Sequence, residues 1–132
     1  MTKQLTAFLE NQVGKLQEVA SILASADINI LSFNLADTTS FGVLRMIVSD
    51  PERGRAVLRD NGIVAQVSDV ISVEIPSKPG SMSKLLATLP DTVSVEYLYP
   101  YDTSTDRSGV ILKLSDMEAG LAALLENGYT VL

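Results

Sequence analysis

Along the chain the apolar positions change their period several times, and each change predicts an element. Leu5, Ala7 and Leu9 alternate with their neighbours at period two, as a strand with one buried face does. Leu16, Val19, Ala20 and Leu23 then follow the i, i+3, i+4, i+7 rule, which predicts an amphipathic helix over residues 15–26. Residues 28–36 are rich in β-branched and aromatic side chains and predict a second strand. The polar cluster Asp37-Thr38-Thr39-Ser40 turns the chain into a third strand over residues 41–48. Asp50 before Pro51 signals a helix start, because the carboxylate accepts from free amides and proline fits the first helical position. Asn61-Gly62 ends that helix through left-handed backbone, and a fourth strand begins at Val64.

The same pattern returns at an offset of 66 residues, half of 132. Gly14 recurs as Gly80, Ser49-Asp50 as Ser115-Asp116, Gly54 as Gly120, and Asn61-Gly62 as Asn127-Gly128. Leu16, Val19, Ala20 and Leu23 become Met82, Leu85, Leu86 and Leu89. One residue is lost after Leu89, so that Ile28-Asn29-Ile30 aligns with Val93-Ser94-Val95, and one is regained near Thr103 to Arg107. A capping box, Ser115-Asp116-Met117-Glu118, is expected at the last helix. Each half therefore reads β-α-β-β-α-β, the ferredoxin-like unit with an antiparallel sheet and both helices on one face. The expectation is an α+β protein of two such units in tandem, residues 1–66 and 67–132. A unit of this size buries little core alone, so the two are expected to pack together. No glycine- or proline-rich linker separates them, and residues 64–75 read as one continuous strand.

Composition narrows the chemistry. The chain has neither cysteine nor histidine, which excludes disulfides, zinc-thiolate sites, thiol nucleophiles and imidazole-dependent triads. Ten basic against sixteen acidic residues give a net charge of -6, which repels a phosphate backbone, so no nucleic-acid partner is expected. The longest apolar run is five residues, at 121–125, and the segment MTKQLTAFLENQ lacks a signal-peptide core. A cytoplasmic protein with no membrane partner is expected. Asp50, Asp116 and Glu118 suit helix starts better than acid-base catalysis. Asp102-Thr103-Ser104-Thr105-Asp106 resembles the start of a calcium loop, but Arg107 stands where glycine is needed and Lys113 where a bidentate glutamate is needed. It reads as a solvated hairpin loop, and no metal, cofactor or enzymatic activity is expected. Tyr97, Tyr99 and Tyr101 alternate on a strand and form either an inter-subunit face or the lining of a ligand pocket.

The first loop of each half carries the remaining candidate chemistry. In Glu10-Asn11-Gln12-Val13-Gly14-Lys15-Leu16 a strand turns sharply into a helix, and Gly14 lets the backbone present amides at the helix start, where a carboxylate is favoured. The Asn11 amide can meet both an ammonium and a carboxylate. Asn29, flanked by Ile28 and Ile30, needs a hydrogen-bond partner, and a ligand is one candidate. The alternative is that Gly14 only shapes a turn and Asn29 bonds backbone.

Asn11-Gln12-Val13-Gly14-Lys15-Leu16, followed after the helix by Asp27-Ile28-Asn29-Ile30, resembles the ACT domain, whose usual pattern is N-x-P-G-x-L and then G-x-N-I. Ser77-Lys78-Pro79-Gly80-Ser81-Met82 and Val93-Ser94-Val95 form a weaker copy. The resemblance covers essentially the whole chain, as a tandem pair with no enzyme attached. It implies a non-catalytic regulatory or sensor protein that binds a free L-amino acid where ACT sheets meet, with a homodimer and a regulated metabolic enzyme as partners. By position, Asn11, Gln12, Val13, Gly14, Asn29 and Ile30 would hold the ligand, and Ser77, Pro79, Gly80 and Ser94 would form a weaker second site. Val13 replaces the usual proline, and Ser77 and Ser94 replace the usual asparagines. A protein-protein adaptor without ligand is the alternative on the same fold. Acylphosphatase shares the frame, but its phosphate loop needs an arginine that the first loop lacks.

Overall fold

The computed structural model describes all residues except 11, 38–40 and 105–106, together with the side chains of 103 and 104. The elements are β1 (Thr2–Glu10), α1 (Lys15–Ser25), β2 (Ile30–Asp37), β3 (Phe41–Val48), α2 (Pro51–Asp60), β4 (Val64–Pro76), α3 (Ser81–Ala87), β5 (Val95–Ser104), β6 (Arg107–Leu114) and α4 (Met117–Glu126). The chain divides into two compact units, Lys3–Asp69 and Met1–Thr2 with Val70–Leu132. The 13-residue β4 runs through the junction, as the unbroken strand pattern predicts. No helix among the described residues is long and apolar enough to cross a membrane.

In the first unit the strand order is β2-β3-β1-β4. Leu5 and Ala7 of β1 lie opposite Met46 and Leu44 of β3, which in turn lie opposite Phe33 and Leu35 of β2. The helices cover this face: Val19 and Leu23 of α1 and Leu58 of α2 join Leu5, Ala7, Leu44 and Met46 in one buried cluster. β2 starts two residues later than the apolar pattern suggests, and a register irregularity falls between Ile30 and Ser32. Lys3 Nζ meets Asp69 Oδ1 at 2.7 Å on the surface, and that hydrogen bond and charge hold the ammonium above its ordinary 10.5.

The second unit repeats the plan, with order β4-β6-β5 and Ile71, Val73, Leu85, Val110, Leu112 and Leu124 in its core. Its closing strand is reduced to a single bridge between Val73 and Val131. Hydrogen bonds from Glu74 N to Thr130 O (3.1 Å) and from Leu132 N to Ser72 O (2.7 Å) flank that bridge.

The duplicated identities have physical causes. A Cβ on Gly54 would stand 2.8 Å from Leu5 Cδ2, and one on Gly120 would overlap Leu114 Cδ1, so both glycines mark the close approach of a helix to its sheet. Asp50 Oδ1 accepts from Arg53 N (3.2 Å) and Asp116 Oδ1 from Ala119 N (3.0 Å), so the aspartates are the caps. The expected capping box at Ser115 is thereby corrected. Ser115 Oγ is occupied elsewhere, accepting from Ser94 N at 2.8 Å, just as Ser49 Oγ accepts from Asn29 N at 2.9 Å. The tyrosines of β5 are not an open apolar patch: Tyr99 is only 2% exposed and stacks on the half-buried Tyr97 with ring centroids 6.5 Å apart.

Candidate functional site

The first loop is shaped by its backbone. Gln12 N donates to Glu10 O at 2.7 Å, closing a tight turn at the end of β1. Gly14 then takes a left-handed conformation (φ 87°), and its carbonyl accepts from Glu18 N at 2.9 Å to begin α1. That φ is readily available to glycine and costly for a β-branched residue. A Cβ there would meet nothing within 4 Å, so the glycine is required by its dihedral angle and not by lack of space. The first amides of α1 have no acceptor within the helix, and that of Lys15 donates to Gln12 O at 3.4 Å. Val13 is fully exposed, and Lys15 pairs with Glu18 at 3.3 Å.

A cleft borders this loop, and a second cavity shares Leu16 with it. The cleft, of about 330 Å³, lies between the loop and the β2–β3 end, bordered by Glu10, Gln12, Lys15, Leu16, Leu35 and Asp37. The second cavity, of about 250 Å³, lies between α1 and β2 and is lined by Leu16, Ala20, Ile30, Phe33, Leu44 and Met46. Glu10 and Asp37 come from different strands, and pairing of Glu10 with Phe41 and of Asp37 with Gly42 brings them to one end of the sheet. Sequence reasoning missed both acids, because only strand register shows that they meet.

Of the predicted first-loop residues Gln12 borders the cleft, and Val13 and Gly14 lie between it and Lys15 in the chain without lining the cleft themselves. Asn29 and Ile30 stand away from the cleft: Ile30 pairs with Val48 at the far end of β2, roughly 23 Å away at about 3.3 Å per residue. Asn29 is exposed, so water can satisfy its side chain, and the buried-amide reason for giving it a ligand falls away. Its backbone exchanges two hydrogen bonds with Ser49, N to Oγ and O from N, both 2.9 Å. Asn11 lies outside the described residues.

The second unit repeats the loop at Gly80 (φ 88°), whose carbonyl accepts from Lys84 N at 2.9 Å. Pro79 and Gly80 border a cleft of about 400 Å³ that also holds Lys78, Lys84 and the Glu74–Arg107 pair (3.1 Å). Exposed Ser77 precedes this cleft in the chain, whereas Ser94 sits at the other end of its sheet beside Ser115. Among the described residues no cluster of acidic side chains could hold a metal ion. The calcium-like segment ends in residues 105–106, outside the described residues.

Two ferredoxin-like units, each opening its first helix on a left-handed glycine beside a cleft, define a tandem α+β protein of the ACT type. The pattern of the ACT domain pair family matches residues 1–127, and the chain belongs to that family. ACT domains are regulatory modules, not catalytic ones. Among solved structures, a protein of Bacteroides thetaiotaomicron is similar at 35% identity with a TM-score of 0.93, covering 99% of this chain and 91% of its own. The ligand-free regulatory subunit of aspartate kinase from Thermus thermophilus shares the fold at 21% identity and TM-score 0.67, over 96% of this chain and 92% of its own. That of Thermus flavus does so at 20% identity and TM-score 0.63, over 94% and 90%. No curated protein sequence matches.

Proposed function

We propose that the protein is a non-catalytic amino-acid sensor whose first site is completed by a second copy of the chain, with residues 1–66 and 67–132 as its two ACT-like domains. The observation that carries this reading is the placement of the two halves of the motif. The Gly14 loop stands at the end of β2 and Asn29 at its start, and β2 is the edge strand of its sheet. Antiparallel pairing of β2 with β2 of another copy sets the end of one strand against the start of the other. The copy's Asn29 and Ile30 then lie beside Gln12, Val13 and Gly14. Leu31, Phe33 and Leu35 are exposed along that edge, which such pairing would cover.

In this site, loop amides near Val13 and Gly14 receive the ligand carboxylate, while the Asn11 and Asn29 side-chain carbonyls accept from its ammonium. Ser77, Pro79, Gly80 and Ser94 form the weaker site of the second domain. The partners are a free L-amino acid, the second copy in a homodimer and a metabolic enzyme under regulation, in the cytoplasm. Family membership and the aspartate kinase regulatory subunits that share the fold support the regulatory role.

The exposed β2 edge also favours a second reading, an adaptor that pairs strands without any ligand. A thermal-shift screen of the full chain against the twenty amino acids separates the two. A ligand at one hundred times its dissociation constant should add about 2.7 kcal/mol of stability. Asn11→Ala and Asn29→Ala should each weaken binding by roughly 1.5–3 kcal/mol while the chain stays folded. No stabilisation by any amino acid would favour the adaptor, and particles of 14 kDa alone in light scattering would refute the shared site.

A further inference from the structure

We infer that the amino acid bound at the first site carries an apolar side chain, which enters the cavity between α1 and β2. This rests on the amino-acid-binding reading above and adds the chemical class of the ligand. All six residues that line the cavity, Leu16, Ala20, Ile30, Phe33, Leu44 and Met46, are apolar. Leu44 and Met46 are buried and make its floor, while Phe33 (67% exposed) and Leu16 (48%) stand at its mouth. On α1, Leu16 and Ala20 are one turn apart and so share a face, and the small Ala20 leaves the space open.

The cavity also adjoins the polar cleft. Leu16 lines both, and Leu35 of the cleft lies directly opposite Leu44 of the cavity. A ligand with one charged end and one apolar end matches this division: ammonium and carboxylate among Glu10, Lys15 and the loop, and hydrocarbon against Ala20, Leu44 and Met46. A carboxylate, ammonium or hydroxyl placed in the cavity would lose water and find no side chain to replace it. Filling an apolar pocket with even one further methylene changes affinity by about 10- to 200-fold.

The test is calorimetric titration of the full chain with leucine, isoleucine, valine, methionine and phenylalanine, against glycine, serine, threonine, aspartate, glutamate and lysine. One of the apolar five should bind at least about tenfold more tightly than every member of the second set. Ala20→Leu, which fills the cavity, should weaken that ligand by at least about tenfold. Leu16→Ser, at a half-exposed wall on α1 away from the β2 edge, should weaken it too and keeps the test valid if the first variant misfolds. Tightest binding by a charged or hydroxyl amino acid would overturn the inference and leave the sensor reading standing. So would unchanged affinity in the folded variants. Failure of every amino acid to bind would overturn both.

Discussion

Replacing Gly120 by alanine places a methyl group against the core at a position where helix propensity alone predicts a gain. In the interior of α4, alanine is favoured over glycine by about 0.5–1 kcal/mol. The new Cβ, however, would overlap Leu114 Cδ1, the far end of a side chain buried at the end of β6, which must leave its present rotamer to make room. Overpacking of this kind costs about 1–3 kcal/mol. The overlap outweighs propensity, and the net loss should be about 1 kcal/mol, or roughly 3–5 °C in midpoint temperature for a chain of this length. Urea denaturation followed by circular dichroism measures it. Leu114→Ala alone should cost about 2–5 kcal/mol. The double variant should lose less than the sum of the two, by about 0.5–3 kcal/mol, because the new methyl group occupies vacated space. A Gly120→Ala protein more stable than the parent, or strict additivity in the double variant, would refute the close-approach explanation of this repeated glycine.

The remaining predictions probe the caps, the loop and the surface pair. Asp50→Ala and Asp116→Ala should each lower stability by about 1 kcal/mol in denaturant titration, whereas Asp→Asn at either site should lose much less, since asparagine caps as well. Gly14→Ala should cost about 1–2 kcal/mol from its left-handed dihedral alone, and a compact loop with no loss would show that the backbone relaxes freely. Because Asp69 raises the Lys3 pKa in the folded state, the stability that this ammonium contributes is complete below 10.5 and is lost as pH rises through the raised value. The difference in melting temperature between the parent and Lys3→Met should therefore stay constant from about pH 6 to about pH 9 and shrink above 10.5, and added salt should reduce it throughout.

Much of the fold is legible in the sequence because its signals are local. The i, i+3, i+4, i+7 spacing of Leu16, Val19, Ala20 and Leu23 predicts α1, and the aspartates at 50 and 116 mark helix starts that the structure places at Pro51 and Met117. The repeat is legible for the same reason, since Gly54 and Gly120 each stand where a helix comes close to a leucine of its sheet, Leu5 of β1 in one unit and Leu114 of β6 in the other. What escapes is set by pairing between distant segments. The register irregularity after Ile30 follows from the match of β2 to β3, and the use of Ser115 by Ser94 removes it from the cap that its spacing suggests. Tyr99 reads as part of an amphipathic strand face, yet it is buried. The site is less legible than the fold. Glu10, Asp37 and the apolar cavity are assembled from β1, α1, β2 and β3, and no short motif contains them.

The most direct test of the central claim is a nuclear magnetic resonance titration of isotope-labelled full-length chain with the amino acid found by screening. The account predicts saturable shifts at the amides of Gln12, Val13 and Gly14 and, with the same affinity, at that of Asn29, which lies at the opposite end of β2 within one chain and lines neither cavity. Shifts confined to one end of the strand, or appearing only elsewhere in the protein, would contradict a site shared between two copies.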